Sequence, residues 1–169
     1  MTRQPVVFST VLAAVLLLPA LGAAQSNIGG AATDVKNEKA VRVAYDRFVA
    51  AWNRHDAAAM GRMYTVDGDH HEPDGNHLDG RDAVELLFKR QHESVFAHSR
   101  LMLNIQDVWF ITQDAALIDG GYALSGARMP DGKELPERRG HLTAVLLAEG
   151  GEWLIAASRL MIPTELPYK

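Results

Sequence analysis

The stretch Ser99-Arg100-Leu101-Met102-Leu103-Asn104-Ile105-Gln106-Asp107-Val108-Trp109-Phe110-Ile111 decides the fold class. Leu101, Leu103, Ile105, Trp109 and Ile111 alternate with Met102, Asn104, Gln106, Val108 and Phe110, which predicts a long strand, apolar on one face and mixed on the other. Downstream the period stays at two. Gln113-Asp114 is a turn, and Ala115–Arg128 a second strand with a bend or bulge at Gly120-Gly121. Met129–Glu137, with Pro-Asp-Gly and a second proline, is a loop. Arg138–Ala148 is a third strand and Trp153–Ile162 a fourth, joined by the hairpin turn Glu149–Glu152. The tail, Pro163–Lys169, carries two prolines and is expected to be irregular.

Upstream of Ser99 the period is helical. Thr33-Asp34 are N-cap residue types. After them Val41, Ala44, Tyr45, Phe48, Val49 and Trp52 form one apolar stripe on a helix of about five turns. Asn53-Arg54-His55-Asp56 interrupts it, and Asp56 caps a short second helix, Ala57–Tyr64. Val66-Asp67-Gly68 reads as a turn, Asp69–Glu72 as a short strand, Pro73-Asp74-Gly75 as a tight turn and Asn76–Leu78 as the returning strand. Arg81–Phe96 is a third helix, with Val84, Leu87, Phe88, Gln91 and Val95 facing inward. Helices segregated from a meandering sheet are the α+β pattern. The expectation is three N-terminal helices packed in a strongly curved antiparallel sheet, a cone whose mouth takes a small ligand.

Composition narrows the chemistry. The 169 residues are 47% hydrophobic with net charge −4, which excludes a disordered chain and argues against a general nucleic-acid binder. There is no cysteine, so disulfides, thiolate nucleophiles and cysteine-ligated metals are all excluded. Arg3, the apolar run Val6–Leu18, Pro19 and the small residues Ala20–Ala24 have the order of a secretory signal peptide. Residues 1–24 are therefore expected to be a cleaved signal and the protein exported, periplasmic or secreted, with no membrane association after cleavage. Residues 25–33 form a flexible leader, and 34–162 one domain.

The order of elements and several local motifs resemble the SnoaL and ketosteroid-isomerase-like folds of the nuclear transport factor 2-like superfamily, and within it the SgcJ/EcaC branch of unknown function. The matching pieces are Ala51-Trp52-Asn53-Arg54-His55-Asp56-Ala57, Tyr64-Thr65-Val66-Asp67-Gly68-Asp69, Gly80-Arg81, Arg138-Arg139-Gly140-His141-Leu142-Thr143 and Glu152-Trp153-Leu154-Ile155. They cover Asp34 to Met161. The resemblance implies the cone fold and a homodimer through the outer sheet face. It also implies a general base at the end of the first strand, a position that falls on Glu72, just before Pro73. The isomerases' oxyanion-hole tyrosine falls on Phe48, and the late strand around Ala144 offers no aspartate, so steroid isomerisation is not implied. The oxidoreductase label often attached to the SgcJ/EcaC branch finds no dinucleotide fingerprint or metal motif here, and no cofactor is expected.

Strand alternation places His70 on the face of Glu72 and His71 on the other. Glu72 and His70 are thus the candidate catalytic pair, as base and orienter. A metal site would need at least a third ligand, and nothing in the spacing brings His92 or His141 to that face, so no metal is expected. Phe48, Trp52, Tyr64, Phe88 and Trp109 are the candidate pocket lining, although core packing calls on the same residues. Asp56 is explained by capping, and Arg138-Arg139 is read as solvated charge. Both faces of the late strands are apolar: Leu142, Ala144 and Leu146 on one, Val145 and Leu147 on the other. One face packs on helices and the other needs a partner. The expected function is binding of a small, partly apolar molecule, with carboxylate/histidine proton transfer on it. The alternative is a non-catalytic binding or dimerisation module.

Overall fold

The computed structural model describes residues 28–164. The expected signal segment Met1–Ala24 and the last five residues of the tail lie outside the described residues. Three helices, α1 (Ile28–Asn53), α2 (Ala57–Arg62) and α3 (Arg81–His92), alternate with β1 (Tyr64–His71) and β2 (His77–Asp79), and β3 (Arg100–Phe110), β4 (Ala115–Ser125), β5 (Arg138–Glu149) and β6 (Glu152–Met161) follow. No described helix is long and apolar enough to cross a membrane.

α1 carries the expected stripe: Val41, Tyr45, Phe48, Ala51 and Trp52 are buried, with Ala44 and Val49 packed beside them. It begins ahead of the Thr33-Asp34 cap and takes in residues 28–33 of the expected leader. The helix ends where His55 adopts φ 58°, a left-handed conformation unusual for a side-chain-bearing residue. Asn53 ties this end to the sheet: its amide donates to the Leu101 carbonyl at 3.0 Å and its Oδ1 accepts from the Leu101 N–H at 2.9 Å. Asp56 caps α2 through the Ala59 N–H at 2.9 Å. α3 stops at His92, short of the expected Phe96, and a run of turns carries Phe96 back into the core.

The sheet has the order β2-β1-β6-β5-β4-β3. It is antiparallel throughout except where β1 lies parallel to β6, with His70 opposite Ser158. Val66–Gly68, expected as a turn, lies inside β1, where the pairing with β6 is irregular. The inner face of the curved, unclosed sheet packs on the helices, and Ala116, Ile118, Leu142, Ala144, Leu146 and Ile155 fill the space between.

One irregularity decides which side chains point inward. In β3, Ile105 pairs with Gly120 and Asp107 with Asp119, so Gln106 is an extra residue. A one-residue insertion reverses the faces of everything after it. Leu101, Leu103 and Ile105 point in before the bulge, Val108 and Phe110 after it. Trp109, expected to line the pocket, is therefore turned outward and is 49% exposed.

The bulge needs Gly120. A Cβ there would lie 2.6 Å from the Asn104 carbonyl oxygen and 3.2 Å from the Ile105 Cα, both backbone atoms. Gly121 has only one neighbour within reach, the Gly140 carbonyl at 3.8 Å. Gly120→Ala is expected to destabilise the fold by about 1–3 kcal/mol and Gly121→Ala by much less. Urea denaturation of the two variants checks this, and equal midpoints would show that the bulge does not depend on Gly120.

Candidate active site

The parallel register of β1 and β6 sets His70 against Ser158, and alternation along β1 brings Glu72 to the same face. His70 is 3% exposed. Its Nε2 lies 2.9 Å from Glu72 Oε1, and its Nδ1 lies 2.7 Å from Ser158 Oγ and 2.9 Å from the Tyr64 hydroxyl. The two hydroxyls are 3.0 Å apart. Burial raises the Tyr64 pKa, so its phenol keeps its proton and acts as donor. With Glu72 as a carboxylate, one arrangement satisfies every group. Tyr64 donates to Ser158, Ser158 donates to His70 Nδ1, and His70 Nε2–H donates to Glu72. Both imidazole nitrogens are then engaged, and Glu72 Oε2 has no protein partner among the described residues.

This row forms one wall of a cavity of about 50 Å³. By that measure it has room for a few waters or a small flat molecule. Phe48, Trp52, Tyr64 and Phe88, all expected, line it together with Phe96, Leu101, Leu124, Leu142 and Ile155. Phe88 stands edge-on to Phe48, Trp52 and His70, with ring centres 5.8, 6.0 and 5.4 Å away. The partly exposed lining residues, Glu72, Leu103, Arg138 and Leu160, mark the mouth.

Four further polar residues of the lining escaped the sequence reading: Tyr45, Tyr122, Arg138 and Ser158. Alternation alone points to two of them, since Tyr122 shares the inward phase of Ile118 and Leu124, and Arg138 that of Leu142 and Ala144. Arg138 is thus not simply solvated charge. Arg139, on the opposite face, is, and pairs with Glu137 at 2.7 Å. The hydroxyls of Tyr45 and Tyr122 and the Nε of Arg138 are buried without a hydrogen-bond partner. Burial raises the pKa of both tyrosines and keeps them as donors.

The other histidines do not converge on the cavity. His70 and His71 face opposite sides of the sheet and cannot share an ion. His141 is exposed on β5. On the outer face of the β1–β2 edge, His71, His77 and Asp69 offer ligand atoms within 4.8 Å of one another. Asp69, however, is held by Arg159 through both oxygens, at 2.5 and 2.8 Å, which keeps its carboxyl below the usual range. His77 contacts Asp79 at 2.9 Å, so these side chains are already engaged with one another along the edge. His92 sits against Trp52, ring centres 4.5 Å apart, with its Nδ1 2.8 Å from His55 Nδ1.

A family model described as a SnoaL-like domain matches residues 45–153, which include the whole hydrogen-bonded row except Ser158. The chain belongs to the SnoaL-like domain family. Solved structures similar to this SnoaL-like chain share its fold. An uncharacterized protein with a cystatin-like fold from Caulobacter vibrioides aligns with TM-score 0.68 and 20% identity over 76% of this chain and 91% of its own. A putative scytalone dehydratase from Novosphingobium aromaticivorans aligns with TM-score 0.70 and 15% identity over 82% and 92%. A ketosteroid isomerase-like protein from Erwinia carotovora atroseptica aligns with TM-score 0.62 and 16% identity over 75% and 96%. No curated protein matches by sequence.

The His55–His92 contact carries a pH dependence. Burial, and secondarily His55, lowers the His92 pKa to about 4. Burial, Arg100 and His98 lower that of His55. An unfolded chain takes up the His92 proton near pH 6.5, whereas the folded one resists it down to about 4. Stability from this site is thus intact above about pH 6.5 and is lost as pH falls toward 4. His92→Phe is expected to show a shallower loss of urea midpoint between pH 6.5 and 5 than the parent, and identical slopes would refute the assignment.

Proposed function

We propose that this SnoaL-like domain binds a small, largely apolar molecule in the cavity and moves a proton on it, with Glu72 as general base and His70 as the residue that positions it. The observation that supports this most directly is the buried row Tyr64–Ser158–His70–Glu72, which ends on a carboxylate at the mouth of an apolar cavity. Apolar walls with a few convergent polar groups are the usual form of a small-molecule site. Glu72 carries the free oxygen, and His70 has no nitrogen left to reach a substrate. Abstraction of a proton beside a carbonyl, followed by its return to another carbon or to a leaving oxygen, uses only these side-chain groups. Relatives in fold named as a putative scytalone dehydratase and a ketosteroid isomerase-like protein are consistent with such chemistry.

Turnover should be sought against a panel of small carbonyl compounds. Glu72→Gln is expected to lower it by about 10²–10⁴-fold. His70→Ala, which leaves Glu72 in place but unsupported, is expected to lower it less. Unchanged rates in both, with the fold intact, would defeat the catalytic reading.

A second observation supports self-association. Trp109, Leu117, Val145 and Ala157 are successive cross-strand partners on the outer sheet face, with Met102 and Ile111 also exposed. An apolar row of this kind favours a partner, and we propose a homodimer through this face. Sedimentation at micromolar concentration is expected to give a dimer that Trp109→Glu converts to a monomer. A parent chain that sediments as a monomer would reject it.

A further inference from the structure

We propose that the Arg138 side of the cavity is an anion subsite, so that the molecule bound carries a carboxylate or similarly charged oxygen on a small flat apolar body. This rests on the reading that the cavity binds a small molecule and adds the class to which that molecule belongs.

Three donors lining one apolar cavity lack acceptors. The Tyr122 hydroxyl is buried on a residue only 5% exposed, Tyr45 is 3% exposed, and the Arg138 Nε–H is buried and unpaired. Buried polar groups in folded proteins are almost always satisfied, so several orphans around one cavity need a cause. A ligand oxygen supplies one. The Arg138 Nε–H can only donate and both hydroxyls can donate, so an accepting oxygen satisfies each of them.

The charge follows from Arg138. Its guanidinium carbon lies 5.7 Å from the Phe96 ring centre, a stacking that leaves the edge of the fork free. No carboxylate pairs with it among the described residues, whereas Arg139 beside it pairs with Glu137 and Arg159 with Asp69. Glu72 also lines the cavity yet makes no ion pair with Arg138. The cavity lining therefore includes a carboxylate and a guanidinium that do not pair with each other. A ligand's anionic oxygen is repelled by Glu72 and drawn to Arg138, which sets its direction and leaves its apolar body against Phe88 and Trp52.

The backbone accommodates Tyr122 at this point. Tyr122 pairs with Gly140 across β4 and β5, and a Cβ on Gly140 would lie 2.5 Å from the phenol hydroxyl. The absent side chain lets the Tyr122 ring lie over β5, two residues from Arg138 and on the same face.

Calorimetric titration of the purified full chain with benzoate and 2-naphthoate, each beside its neutral amide, tests the subsite. At least one acid is expected to bind about tenfold or more tighter than its amide. Arg138→Gln should remove most of that preference, and an unchanged urea midpoint reports that the fold survives. Tyr122→Phe should weaken acid binding by a smaller factor. Equal binding of acids and amides, or acid binding unchanged by Arg138→Gln, overturns the subsite alone. Binding of none of the four molecules overturns the small-molecule reading of the cavity and the subsite with it.

Discussion

The parallel pairing of β1 with β6 is the constraint on which the site depends. It sets His70 opposite Ser158. Strand side chains alternate with period two, so a slip of one residue would send His70 and Glu72 to the outer face and bring Asp69 and His71 inward. Two features hold the register. On the inside, the hydroxyls of Tyr64 and Ser158 converge on His70 Nδ1. On the outside, Arg159 of β6 clamps Asp69 of β1 through both carboxylate oxygens. A slip would break both at once and leave a buried imidazole and a buried carboxylate without partners, a cost of about 1–3 kcal/mol for each neutral group and more for the charge.

Much of this was legible in the sequence, and the parts that were not have two causes. The period is two throughout after Ser99 and three helical stripes precede it, so the α+β arrangement follows from spacing, with the short β1–β2 hairpin lying among the helices. The α1 stripe from Val41 to Trp52 and the shared face of His70 and Glu72 follow in the same way. Bulges are what spacing does not show. An extra residue at Gln106 turns Trp109 outward. A similar shift in β6, between the pairs Leu146–Ile155 and Val145–Ala157, brings Ser158 inward after Ile155. Without that second bulge Ser158 would face solvent, so no periodic reading of β6 names it as the partner of His70. Tyr122 and Arg138 are a different case. Their phase was readable, but a tyrosine among apolar residues looks like core, and an arginine pair beside a loop looks like solvated charge.

The cavity is also a departure from what stability alone would select. Well-packed interiors satisfy their polar groups, and each unsatisfied buried donor costs about 1–3 kcal/mol. Tyr45, Tyr122 and Arg138 line one small space in that condition. Replacing the tyrosines by phenylalanine would keep the packing and remove two of the orphans. They line the same cavity as the satisfied row at His70, so its wall carries two kinds of polar group. One kind is internally satisfied and fixes geometry. The other has no hydrogen-bond partner among the described residues.

That separation bears on how one fold can hold different chemistries. Fold does not specify reaction, and structures at 13–20% identity share the cone without sharing its polar groups by necessity. In this chain the position that the ketosteroid-isomerase resemblance assigns to an oxyanion-hole tyrosine is Phe48, and a tyrosine stands one turn earlier, at Tyr45. The carboxylate position is kept at Glu72. Moving the donors from Phe48 to Tyr45, Tyr122 and Arg138 changes where negative charge can be stabilised relative to Glu72. Under the proposed anion subsite and base, the spacing of Arg138 and Glu72 in one lining, more than the identity of the base, would select the atom that loses its proton.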